Sequence, residues 1–124
     1  MHKLELLKPD GRRLTLYGRR EVTAGPAPSP RKEPVNANPH LRWHPLRGEW
    51  VAYAAYRQDR TFLPPPEFNP LLPSQDATHP SELPCGDYDV AVFDNLFPTL
   101  TMSAHDPPAL GVATLPGTGH CEVV

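Results

Sequence analysis

Apolar and polar positions alternate in only a few short stretches of this chain. Leu4-Glu5-Leu6-Leu7 and Leu14-Thr15-Leu16-Tyr17 flank the sequence Pro9-Asp10-Gly11. Asp-Gly between two apolar runs predicts a β-hairpin, because glycine readily supplies the positive φ that a tight turn needs. The strands fall near 3–8 and 13–17, the second ending at Gly18. Arg12, Arg13, Arg19 and Arg20 read as the solvated fringe of this hairpin, with a phosphate contact as the alternative. Residues 21–39 have almost no periodicity and five prolines, the signature of an extended linker or surface loop.

The next patterned stretch is residues 41–60. Trp50-Val51-Ala52-Tyr53 should be a strand, reached through a turn at Arg47-Gly48, with Trp43 packing onto it. Ala54-Ala55-Tyr56 either continues the strand or begins a short turn. Residues 61–86 carry a proline every few positions and predict irregular chain over a surface, of the length usually kept for a binding loop or a metal-held excursion. Val90-Ala91-Val92-Phe93 predicts a strand ended by Asp94-Asn95, with Phe97 and Leu100 as core anchors. Residues 101–120 are polar and broken by Pro107, Pro108 and Pro116, and Gly117-Thr118-Gly119 should turn into a last strand. The final run, Gly119 to Val124, reads as the opening of a strand, so the expectation is a fragment of a longer protein.

Composition narrows this picture. A chain of 124 residues suits one domain. Its 18 prolines and 8 glycines favour short strands and ordered coil and leave little room for long helices. With 12 basic and 14 acidic residues the net charge is −2, which argues against a general nucleic-acid or anionic-membrane binder. No stretch approaches the length of a membrane span. Cys85 and Cys121 are not closely spaced and no secretion signal precedes them. A reducing, cytoplasmic setting with free thiols is the default.

The candidate chemistry sits at the end of the central stretch. Arg57 and Arg60 stand three positions apart where an aromatic strand runs out. A guanidinium fork donates several hydrogen bonds to phosphate at once, so one reading of this pair is an anion-binding edge. A solvated cationic strand end is the competing reading. Asn95 has the same duality, as a ligand contact or a turn cap.

Three segments, taken in order, resemble the galactose-1-phosphate uridylyltransferases, nucleotidyltransferases of the histidine-triad superfamily. Arg42-Trp43-His44-Pro45-Leu46 through Gly48-Glu49-Trp50-Val51 is similar to that family's R-W-N-P-L-x-G-E-W-V opening, and Arg57 with Arg60 matches its R-x-x-R. Val92-Phe93-Asp94-Asn95-Leu96-Phe97-Pro98 resembles its V-F-x-N-D-F-P. Gly119 to Val124 looks like the strand shortly before its first histidine motif. The resemblance implies an α+β fold: mainly antiparallel β-sheet with long proline-rich loops, an incomplete histidine-triad-like nucleotidyltransferase domain. Within 1–124, residues 1–20 would be the hairpin, 21–39 the linker, and 40–124 the sheet and substrate loops.

The resemblance also implies a chemistry. In the family a histidine in an H-P-H-x-Q motif takes UMP from UDP-glucose and passes it to galactose-1-phosphate; neutral imidazole suits this step. Arg57 and Arg60 would contact the nucleotide-sugar phosphates, Asn95 the ribose or diphosphate, and Phe97 would pack beneath. The implied partners are UDP-glucose and a hexose-1-phosphate, with a homodimer in the longer protein and no cofactor.

Departures from the pattern limit what carries over. The chain contains no H-x-H run, and His44 falls where the family commonly has asparagine. The catalytic histidine is therefore expected beyond Val124, and the chain alone should be inactive. The family's zinc-binding C-x-x-C is replaced by Asn69 and Leu72, and leucine cannot bind a metal. His105, at a third ligand position, then reads as a loop residue, and no zinc is expected. Leu96 replaces an acidic residue, which leaves open a related nucleotide-sugar phosphorylase. A non-catalytic nucleotide-sugar-binding module is the other alternative.

Overall fold

Strand formation follows the two-residue period read from Leu14 to Tyr17. A computed structural model describes residues 1–60 and 68–124. They form two compact units: residues 1–35, 68–94 and 123–124 in one, residues 36–60 and 95–122 in the other.

In the first unit, β1 (His2–Leu7) and β2 (Arg13–Gly18) pair antiparallel with Leu6 opposite Leu14 and Leu4 opposite Leu16. The turn between them closes through Gly11 N–H to the Lys8 carbonyl at 2.9 Å, and Gly11 itself sits at φ +84°. That left-handed geometry is why glycine follows aspartate here. On its other side β2 pairs with β7 (Val90–Asp94), placing Leu14 opposite Phe93. With β9 (Glu122–Val123) the sheet runs β1-β2-β7-β9. Alternation turns Leu14 and Leu16 to one face, where they are fully buried with Phe93, and Leu4, Leu6, Leu83 and Val123 pack around them. Two further short strands, β3 (Thr23–Ala24) and β6 (Gly86–Asp87), pair with each other.

The small apolar core is flanked by a buried ionic network. Arg12 is only 4 % exposed. Its Nε donates to Asp10 at 2.8 Å, and Nη1 and Nη2 grip the two oxygens of Glu82 at 3.1 and 2.9 Å. Nη1 also donates to the Asp94 carbonyl and Nη2 to the Ser29 hydroxyl. Lys8 Nζ donates to Glu82 at 2.7 Å and to the Pro28 carbonyl at 3.1 Å. Two cations face two carboxylates, and no buried side-chain polar atom among the described residues lacks a partner. This corrects the reading of Arg12 as solvated fringe. Its partner lies 70 residues away, and the proline-rich segments return to cover the hairpin turn.

Residues 69–83 contain no regular element beyond an isolated bridge between Pro73 and Leu83. They are nevertheless tied down: Glu82 N–H donates to the Pro70 carbonyl at 2.8 Å and Ser74 N–H to the Leu83 carbonyl at 2.7 Å. The expectation of irregular chain over 61–67 falls outside the described residues.

The second unit is built on β4 (His40–His44), β5 (Glu49–Tyr53) and β8 (Thr114–Pro116), ordered β5-β4-β8 and antiparallel throughout. Trp43 lies directly opposite Trp50, their rings edge-on with centroids 5.5 Å apart. The connecting turn places Gly48 at φ +64° and returns its N–H to the His44 carbonyl at 2.8 Å. After Tyr53 the strand stops, and residues Ala55–Asp59 form a 3-10 helix, η1, whose turns close through Arg57 N–H to the Ala54 carbonyl.

The α+β expectation is overturned. No α-helix occurs among the described residues, and η1 is the one helical turn. The sheets are mainly antiparallel, as anticipated, but the described chain between the strands is rich in proline, which disfavours helices. Proline removes an amide donor and clashes with the preceding turn.

Candidate functional site

Arg57 owes its position to the end of β5. The strand delivers the chain into η1, and three-residue spacing puts Arg57 in the helix's last turn with Arg60 as its C-terminal cap. The Arg57 guanidinium is half-buried, and its Nη1 donates to the carbonyl of Phe97 at 2.7 Å. Beside it, the ring of Tyr56 meets that of Phe97 with centroids 5.8 Å apart and planes inclined by 35°. Asn95 holds the same loop from within. Its Oδ1 accepts from Phe97 N–H at 2.9 Å, and its own N–H donates to the Cys121 carbonyl at 2.8 Å. Nδ2 points to Cys121 Sγ at 3.8 Å.

Three of the four residues singled out from the sequence, Arg57, Asn95 and Phe97, are thus joined in one chain of contacts. Arg60 is linked to them through its backbone, donating its N–H to the Arg57 carbonyl at 3.1 Å, and its side chain is exposed. No carboxylate among the described residues forms an ion pair with Arg57. A neutral carbonyl orients the guanidinium without cancelling its charge, which is the arrangement an anion site needs. Asn95 is also a turn cap, since its Oδ1 satisfies the Phe97 amide two residues on.

An open cleft of about 330 Å³ lies against this cluster, lined by residues 36–39, 54–56 and Pro98. Its rim is braced by a reciprocal pair: Asn38 Nδ2 donates to the His105 carbonyl, and His105 N–H donates back to Asn38 Oδ1, both at 3.0 Å. Asn36, Asn38 and Tyr56 were not picked out from the sequence. Asn36 and Asn38 lie in a proline-rich stretch without periodicity, and only the return of the chain onto residues 98 and 105 gives them a role.

The other motif residues have structural duties. His44 Nδ1 accepts from Arg47 N–H at 3.2 Å and caps the β4–β5 turn. Asn69 Oδ1 accepts from Leu71 N–H at 2.9 Å, forming a local turn in which Leu72 stays exposed. His105 Nδ1 lies 2.9 Å from the Ser103 carbonyl. Among the described residues no group of three or more His, Cys, Asp or Glu is placed to hold a metal ion. Cys85 and Cys121 are free thiols.

The geometry brings together an oriented arginine, a second arginine three residues on, and an asparagine-capped aromatic loop. The chain is 33 % identical over 125 residues to a galactose-1-phosphate uridylyltransferase of Streptomyces lividans, a match that covers all of this chain. It is 31 % identical over 108 residues, 73 % of this chain, to a probable galactose-1-phosphate uridylyltransferase of Drosophila melanogaster. The chain spans 30 % of the length of each of these curated relatives. No family model matches it. No solved structure matches it either.

Proposed function

We propose that this chain is the substrate-holding part of a uridylyltransferase that exchanges UMP between UDP-glucose and a hexose-1-phosphate. The observation that carries the proposal is the Arg57–Phe97 hydrogen bond, made within the chain that aligns with both relatives. In this reading Arg57 and Arg60 grip the diphosphate of the nucleotide sugar. Asn95 holds the loop at the correct height and meets the ribose or diphosphate, with Phe97 beneath. Transfer of a phosphoryl-type group depends on positioning and on charge stabilisation, and these are what the cluster contributes. Its six histidines include no H-x-H run, so the chain binds rather than attacks. The longer protein would be a cytoplasmic homodimer whose partners are small molecules rather than nucleic acid or membrane. No helix of the described residues is long and apolar enough to cross a bilayer.

Calorimetric titration of the 124-residue chain with UDP-glucose tests this reading, alongside a variant carrying Arg57→Ala and Arg60→Ala. Binding that disappears in the double variant is expected. Binding of equal strength in both proteins would overturn the assignment of the arginines.

A further inference from the structure

A second arginine in the same unit is held by two side chains. Arg42 lies on β4, and its Nε donates to Nε2 of His40 at 2.9 Å. Its guanidinium carbon sits 3.8 Å from the centroid of the Tyr53 ring. That ring in turn stacks on His40, with centroids 5.6 Å apart and planes only 11° from parallel. Strand register explains the trio. His40 stands directly opposite Tyr53, and Arg42, two residues along on the same face, is diagonal to it.

Each contact restricts a different freedom. The Tyr53 ring supports the guanidinium from one side, and the bond from Nε fixes its direction. The acceptor role of Nε2 requires a neutral imidazole with its proton on Nδ1. Burial, and after it the charge of Arg42, hold His40 below the ordinary histidine pKa. Among the described residues no hydrogen bond engages Nη1 or Nη2 of Arg42 and no carboxylate pairs with it. The two outer nitrogens form the edge of the guanidinium suited to a bidentate oxyanion. A fork that is already ordered loses little further freedom when a ligand binds.

We propose that Arg42, oriented by His40 and Tyr53, is a binding site for a small oxyanion, a phosphate or a carboxylate, and that it operates separately from the Arg57 cluster. The site uses none of the residues assigned to the nucleotide sugar, so it stands whether or not that assignment does.

The test is an NMR titration that follows the Arg42 Nε–Hε signal and the His40 ring. It is carried out on the chain carrying Arg57→Ala and Arg60→Ala, with inorganic phosphate in one arm and acetate in the other, at constant ionic strength. A saturable shift in either arm is expected, and the arm that saturates at lower concentration identifies the ligand chemistry. Arg42→Lys keeps the charge and should abolish saturation. Tyr53→Leu keeps the guanidinium but removes its support, and should weaken binding about two- to fivefold. Shifts that grow linearly with both anions, or an affinity unchanged by Tyr53→Leu, would overturn the proposal.

Discussion

Arg57 reaches across 40 residues of sequence to donate a 2.7 Å hydrogen bond to the backbone carbonyl of Phe97. The contact joins the end of β5 to the loop after β7 and gives one guanidinium a fixed direction. Because the acceptor is a carbonyl, the positive charge stays available.

Arg57→Lys separates charge from geometry. Lysine keeps the cation but lacks the planar fork that can serve the carbonyl and a phosphate together. UDP-glucose affinity should fall about tenfold, the equivalent of one charge-assisted hydrogen bond at ~1.5 kcal/mol. Calorimetry reads the affinity, and a thermal melt should show little change.

Asn95 can be divided between its two duties. Asn95→Asp keeps an oxygen to accept from Phe97 N–H, so stability should hold, while the added negative charge should weaken binding of a diphosphate. Asn95→Ala removes the cap and should cost about 1 kcal/mol of stability. Urea denaturation beside ligand titration on both variants distinguishes cap from contact.

Glu82 is the hub of the buried network, bonded to both Lys8 and Arg12. Glu82→Ala would leave buried Lys8 with backbone carbonyls alone and Arg12 with Asp10 as its one remaining carboxylate in the network. Destabilisation of ~3–5 kcal/mol is expected, larger than the ~2–3 kcal/mol at the low end of the range for Leu16→Ala in the apolar core. Chemical denaturation of the two variants side by side checks the order.

Acid should expose the same network. Burial alone would raise the Asp10 pKa, but hydrogen bonds from Ser29 and Arg12 outweigh it and hold the carboxyl below its ordinary value of 3.8. A carboxylate with a depressed native pKa contributes stability that is complete above the unfolded value. That contribution is lost as pH falls through 3.8 towards the native pKa. The midpoint of urea unfolding should therefore drop below about pH 4, and Asp10→Asn should flatten that part of the profile.

The residue pattern and the structure agree where the information is local. Asp10-Gly11 between alternating leucines defines a hairpin because turn chemistry and side-chain period are properties of neighbouring residues. The same holds for Glu49–Tyr53 and Val90–Asp94. Residues 54–56, ambiguous by period, become the entrance to a 3-10 helix. β8 escaped notice because it contains Pro116, which an edge strand tolerates at its end: among the described residues β8 pairs only with β4. The α+β expectation failed because it came from resemblance, whereas the prolines already argued against helices.

By itself, then, the sequence determined the hairpin strands, β5 and β7, their turns, and the arginines as candidates to meet a phosphate, while β3, β4, β6 and β8 emerged only from pairing. Tertiary structure decided which arginines do what. Arg12, Arg42 and Arg57 look alike in the sequence. One is buried against Glu82 from 70 positions away, one is laid on Tyr53 by strand register, and one is aimed by the Phe97 carbonyl. A guanidinium's role depends on the acceptors and rings around it, and those arrive from distant parts of the chain only once it has folded.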